Sequence, residues 1–107
     1  MKYRVYIIVE AEDDIFSIFQ YVAINDSTRK AEILLNNIEE RISSLSELAN
    51  RGHTPPELES IGIHDYREIH FKPYRIIYQI IESDVFIHCV LDSRRDLEDL
   101  VQERLLR

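Results

Sequence analysis

Most of the side chains that could do chemistry fall between residues 63 and 95: Arg67, Glu68, His70, Arg75, Tyr78, His88 and the pair Arg94-Arg95. An arginine set among apolar strand residues is expensive to bury unless it is paired or faces a groove. Two readings of Arg67 and Arg75 follow. In the structural one they pair with Asp65, Glu82, Asp92 or a carboxylate of the last helix. In the functional one they line a concave surface and grip a carboxylate or a phosphate. Spacing alone ranks the structural reading first. Tyr66, Tyr74 and Tyr78 could stack on bases; tyrosines at strand spacing more often pack in a core or rim.

Other chemistries find less support. His53, His64, His70 and His88 form neither a helical HxxxH pair nor a Cys/His zinc pattern. Glu10, Glu12, Asp13 and Asp14 suit the first turn of a helix, where carboxylates meet the positive end of the macrodipole, better than a cation site. No Gly-rich phosphate loop, GxSxG turn or Ser/His/Asp set is readable. Neither a metal nor a cofactor is expected. Cys89, the single cysteine, lies in an apolar run and reads as a buried, inert thiol.

The elements that must position these residues follow from periodicity. Tyr3, Val5, Ile7 and Val9 alternate with Arg4, Tyr6 and Ile8, a strand apolar on both faces and so expected at the centre of a sheet. Ala11, Ile15, Ile18, Phe19 and Val22 recur at helical spacing. After the break at Asn25-Asp26-Ser27-Thr28, rich in N-cap residues, Ala31, Leu35, Ile38, Ile42, Leu45 and Ala49 give a longer helix and hence an antiparallel helical hairpin. Asn50 to Pro56 is a loop in which Gly52 fits a helix C′ position. Ile63 to Phe71, Tyr74 to Ile81 and Val85 to Leu91 read as three strands. They are joined too tightly for parallel crossovers, so they form an antiparallel meander. Alternation places Val85, Ile87, Cys89 and Leu91 on one face of the third. Asp92-Ser93 can cap a last helix with Leu97, Leu100, Val101 and Leu105 as its apolar stripe. The expected fold is α+β, ordered β-α-α-β-β-β-α. Its four-stranded, mainly antiparallel sheet carries the helical hairpin on one face, and the polar groups lie on the other beside the C-terminal helix.

At 107 residues the chain suits a single domain, residues 1–107. Its 45% hydrophobic and 31% charged residues make a globular mix, and two glycines with three prolines argue against long linkers. No apolar stretch approaches the roughly 18–20 residues that span a bilayer, and Met1-Lys2-Tyr3-Arg4 opens no signal-peptide core, so the cytosol is expected. A formal net charge of −7 disfavours nucleic acid as a general partner, though it leaves room for a local basic patch.

Asp65-Tyr66-Arg67-Glu68-Ile69, then Pro73-Tyr74-Arg75-Ile76-Ile77-Tyr78, then Val85 to Leu91 running into Asp92-Ser93-Arg94-Arg95, resemble the RelE/ParE superfamily of bacterial toxins. The N-terminal strand and helical hairpin agree, so the likeness covers nearly the whole chain. It implies the toxin half of a type II toxin–antitoxin pair of the plasmid-stabilisation kind, with two activities in view. RelE-like members are ribosome-dependent endoribonucleases that cleave messenger RNA. That branch would make Glu68 the base and Arg67, Arg75 and Arg94 phosphate ligands. Against it, the strand from Ile63 to Phe71 has no lysine, and no Tyr or His follows Arg95. ParE-like members resemble them in fold, poison DNA gyrase without catalysis, and tend to finish in a helix. The acidic charge and the helix expected from Arg95 to Arg107 place the chain nearer this branch. Either implies a cognate antitoxin, with Arg67, Arg75, Tyr78, Arg94 and Arg95 as the expected target- and antitoxin-binding set. A homodimer or a toxin–antitoxin hetero-oligomer would fit. A non-toxic, antitoxin-binding relic is the remaining alternative.

Overall fold

The computed structural model describes residues 2–93 and 98–106. Strand β1 (Arg4–Ile7) leads into helix α1 (Val9–Asn25) and helix α2 (Thr28–Ser43), and two short 3-10 turns follow at Ser44–Ser46 and Ala49–Arg51. A single-turn helix, α3 (Pro56–Glu59), precedes the meander of β2 (Arg67–Phe71), β3 (Tyr74–Ile81) and β4 (Asp84–Asp92), and α4 (Glu98–Leu106) closes the chain. The result is an α+β fold of helices on a four-stranded mixed sheet.

The hairpin forms for the reasons its sequence suggests. Glu10 and Glu12 occupy the first turn of α1, and the Ser27 hydroxyl accepts the Lys30 N–H at 3.1 Å, capping α2. Ile38 and Ile42 bury the seam of α2 against the sheet, with Ala31 buried beside α1, and Leu45 and Ala49 continue it at 0% and 1% exposure. The helix itself stops at Ser43, so the last two members of the apolar series ride on the 3-10 turns. Between hairpin and sheet lies the larger core, built on Ile38, Leu45, Ile76, Tyr78 and Ile87.

The strand order is β1-β4-β3-β2. β2, β3 and β4 are antiparallel neighbours, while β1 pairs with β4 in parallel. The expectation of a central first strand is therefore corrected: β1 is an edge. Only its Val5 and Ile7 face turns to the core, while Arg4 and Tyr6 are exposed, Tyr6 stacking on Phe86 at 5.4 Å.

A second correction concerns β4. Its pairing passes from Tyr78↔Ile87 to Ile77↔Cys89, leaving His88 as an extra residue. One inserted residue reverses every later side chain. Val85 and Ile87 accordingly pack under the hairpin together with Val90. Cys89 and Leu91 turn the other way and join Leu58, Ile77, Val101 and Leu105 in a smaller core roofed by α3 and α4. Burial there pushes the Cys89 thiol up to about 12, consistent with an inert packing role.

β1 accompanies β4 only as far as Ile87. Beyond it, the Val90 N–H donates to Asp14 Oδ2 at 3.0 Å, and Arg104 donates to the His88 carbonyl at 3.0 Å. Asp14 and Arg104 also pair with each other through two 3.1 Å bonds. One ion pair thus satisfies the exposed strand backbone and ties α1 to α4. The Ser93 hydroxyl donates to the Pro73 carbonyl at 2.6 Å, and the turn that Asp92-Ser93 is expected to cap, residues 94–97, lies outside the described residues. Among the described residues no helix is long and apolar enough to cross a membrane.

Candidate functional site

On the face of the meander opposite the hairpin, antiparallel pairing sets His70 across from Arg75 and Glu68 across from Ile77. Strand alternation brings Glu68 and His70 to the same face. A short backbone bridge adds a third member. The His53 N–H donates to the Glu68 carbonyl at 3.1 Å, and the Glu68 N–H donates back to His53 at 2.7 Å. Residues that exchange both bonds present their side chains to one face, so the His53 imidazole stands beside the Glu68 carboxylate. Pro55 and Pro56 then start α3, whose Glu57 leans over the same spot.

Arg75 is the centre of this cluster. Its Nε and one Nη reach the two oxygens of Glu68 at 2.6 and 2.9 Å. Its two Nη atoms also reach the two oxygens of Glu57 at 2.5 and 2.8 Å. Both edges of the guanidinium fork are therefore filled by carboxylates. Arg75 is 6% exposed and Glu68 1%. The hydrogen bond from Arg75 holds the Glu57 carboxyl below the usual carboxylate range. Reciprocally, the hydrogen bonds that Arg75 donates to Glu57, with those to Glu68, make it harder to deprotonate than a free arginine.

The imidazoles complete the Glu68 shell from the solvent side. His70 Nε2 lies 3.0 Å from Glu68 Oε1, and His53 Nε2 lies 3.4 Å from Oε2. Their rings are 5.5 Å apart. They flank an open depression of about 250 Å³ whose floor is Glu57, Glu68 and Arg75. Such a site can hold a cation or pass a proton through an imidazole. In its floor two carboxylates outnumber one guanidinium, a balance that disfavours phosphate.

The expected site residues are dispersed. Arg67 and Arg75 lie on opposite faces of the sheet. Arg67 donates to the carbonyls of Gly52 at 2.6 Å and Asn50 at 3.3 Å, bracing the loop. Tyr78, expected at a binding surface, is 0% exposed. Its hydroxyl donates to the Ala49 carbonyl at 2.7 Å and accepts the Gly52 N–H at 3.1 Å. Tyr78 belongs to the hairpin core because Arg67 and Tyr78 are cross-strand partners on that face. Arg94 and Arg95 lie outside the described residues. For Arg75 the structural reading holds, with Glu57 and Glu68 in place of Asp65, Glu82, Asp92 or a last-helix carboxylate. Sequence reasoning weighed His53 only as a metal ligand and passed over Glu57; the two come from a loop and a one-turn helix with no periodicity of their own. The signal available was Pro55-Pro56-Glu57, a proline start followed by a first-turn acid.

A second surface lies where the hairpin meets the β1 edge of the sheet. Ile7, Ile15, Phe16, Phe19 and Leu35 line an open groove of about 480 Å³, with Glu12 and Glu39 on its rim. Phe16 is 60% exposed. Large apolar side chains left uncovered in a groove are a candidate interaction surface.

Residues 5–97 match the family model for the ParE toxin of the type II toxin–antitoxin system parDE. No curated protein matches the sequence. Among solved structures, the chromosomal ParDE toxin–antitoxin system from P. aeruginosa superposes with a TM-score of 0.72 at 16% identity, covering 85% of this chain and 96% of that one. The toxin–antitoxin complex RelBE2 from Mycobacterium tuberculosis gives 0.64 at 18% identity, covering 86% and 99%. A free mutant of the E. coli toxin RelE gives 0.56 at 21% identity, covering 100% and 98%. These likenesses establish the fold, and the family model, spanning most of the sequence, establishes the kinship. The chain belongs to the ParE toxins of type II toxin–antitoxin systems, on the ParE-like side of the RelE/ParE superfamily.

Proposed function

We propose that this toxin acts without catalysis, by binding and inhibiting DNA gyrase, and that a cognate antitoxin neutralises it. The observation that carries this reading is the double occupation of Arg75. RNA cleavage by a RelE-like route asks the strand arginine to receive a phosphate and the neighbouring glutamate to accept a 2′-OH proton. Here the guanidinium is filled by Glu57 and Glu68. Glu68 is buried, and both its oxygens accept hydrogen bonds from Arg75, which lowers its power as a base while its outer side still meets the imidazoles. Freeing Arg75 for a phosphate would leave two carboxylates unpaired, one of them buried, at a cost of several kcal/mol. The net charge of −7 also sits better with a protein target than with ribosomal RNA.

The apolar groove of the hairpin is the proposed antitoxin seat. An amphipathic helix could lay its apolar side against Phe16 and Leu35, with basic residues meeting Glu12 and Glu39 on the rim. The solved relatives ParDE and RelBE2 are toxin–antitoxin assemblies, which supports such a partner.

One observation favours a ribonuclease as the second reading: His53 and His70 are exposed at a depression and could exchange protons with a bound nucleotide. Induced expression in bacteria separates the two. Filamentation with unreplicated or broken DNA is expected, while rapid loss of messenger RNA with intact DNA would overturn the gyrase reading.

A further inference from the structure

Among the described residues, His53, Glu68 and His70 form the one group of three metal-ligating side chains whose donor atoms all lie within 4.8 Å of one another. We infer that this trio is a binding site for a divalent transition metal of the zinc class, a property independent of the toxin's cellular target.

Three features carry the inference. The first is spacing. Nitrogen and oxygen ligands hold zinc at about 2.0–2.2 Å, which places neighbouring donors of a tetrahedron roughly 3.4 Å apart. The two imidazole Nε2 atoms stand 3.0 and 3.4 Å from the Glu68 oxygens. Small rotations of two exposed rings would therefore seat an ion between them.

The second is support. His53 and Glu68 are fixed to each other by two backbone hydrogen bonds, and His70 is two residues along the same strand face. Glu68 is held from behind by Arg75, an outer partner that orients the carboxylate and leaves its solvent side to a ligand. Glu57 compensates the guanidinium charge, so the metal does not face an unbalanced cation.

The third is donor type and access. Two imidazoles with one carboxylate suit zinc, nickel or copper and disfavour magnesium and calcium, which take oxygen ligands. The open depression leaves a fourth position for water or for an incoming side chain. A bound ion would fasten the His53 loop to the β2 edge of the sheet.

The test uses the full chain after chelator treatment. Co2+ reports the coordination geometry through its visible absorption, and Zn2+ is titrated against a chromophoric chelator. One equivalent should bind, with absorption typical of a four-coordinate nitrogen and oxygen site. His53→Gln and His70→Gln should each weaken binding by more than about 10-fold, and the double variant should remove it. His64→Gln should bind as wild type does. His53 and His70 have 61% and 44% exposed side chains, so these variants should fold, as circular dichroism would verify. Wild-type affinity in the His53→Gln/His70→Gln protein, or no binding by the wild type at tens of micromolar metal, would overturn the assignment.

Discussion

Glu68 and Arg75 lock together across the β2–β3 ladder, with Nε of Arg75 2.6 Å from one carboxylate oxygen and an Nη 2.9 Å from the other. They are the only charged side chains, among the described residues, that are almost wholly buried. Glu57 closes the remaining edge of the fork. The same arginine that a phosphate-handling toxin would present to its substrate is here part of the scaffold.

Removing one partner of such a network strands the other charges. Arg75→Ala is expected to destabilise the fold by about 3–5 kcal/mol, a large share of a small domain's stability. Arg75→Lys should recover little of it, because an ammonium cannot fill two bidentate positions at once. Urea denaturation followed by circular dichroism measures both. A lysine variant as stable as wild type would mean that the fork geometry is unimportant.

Tyr78 and Gly52 form a second lock. A Cβ added to Gly52 would lie 2.5 Å from the Tyr78 hydroxyl and 2.6 Å from the Glu68 carbonyl oxygen. Glycine is needed here for close approach, since its backbone is extended at φ −80° and any residue could adopt it. Gly52→Ala should therefore lower stability and displace the His53 loop. Tyr78→Phe, which leaves the Ala49 carbonyl without its donor, should cost about 1–3 kcal/mol. Thermal unfolding of the two variants tests this, and unchanged melting of both would contradict it.

Acid should weaken the protein in two stages. Burial, more than the nearby Arg104 charge, holds the His88 imidazole below its ordinary value, against the pull of Glu10. The unfolded chain therefore takes up that proton first. The stability from keeping His88 neutral is complete above about pH 6.5 and declines as the pH falls below it. Glu57, held low by Arg75, contributes stability that is complete above about pH 4.3 and is lost as the pH drops toward its folded value. His88→Gln should remove the first decline and Glu57→Gln should shallow the second. Melting curves from roughly pH 2 to 8, which span both transitions, are the measurement, and parallel curves for all three proteins would refute the assignment.

The hairpin groove predicts a surface effect with little structural cost. Phe16→Asp, at an exposed position, should reduce antitoxin affinity by about 2 kcal/mol or more while leaving the melting temperature nearly unchanged. Calorimetric titration with the antitoxin tests it. Wild-type affinity would place the antitoxin elsewhere.

Much of this architecture was legible in the sequence because it rests on periodicity. The α2 seam from Ala31 to Ile42 and the strand from Tyr74 to Ile81 are long, regular patterns with identifiable ends. What escaped was set by single residues and tertiary contacts. Nothing local marks His88 as a bulge, yet it sends Cys89 and Leu91 to the opposite face from Val85 and Ile87. The strand predicted from Ile63 starts only at Arg67, since Ile63 and Tyr66 pack against the α4 core outside the ladder. The site was harder still. Arg75 was recognisable as an arginine in need of a partner, but Glu57 and His53 reach it only because a loop and α3 fold back over β2.

The most direct test of the central claim is a supercoiling assay with purified DNA gyrase, relaxed plasmid, ATP and increasing amounts of this protein, run with and without its antitoxin. Inhibition that rises with toxin, is relieved by antitoxin and leaves ribosome-bound messenger RNA intact is the predicted result. Full supercoiling at saturating folded toxin, together with cleavage of ribosome-bound messenger RNA, would contradict it and return the exposed imidazoles to the centre of the chemistry.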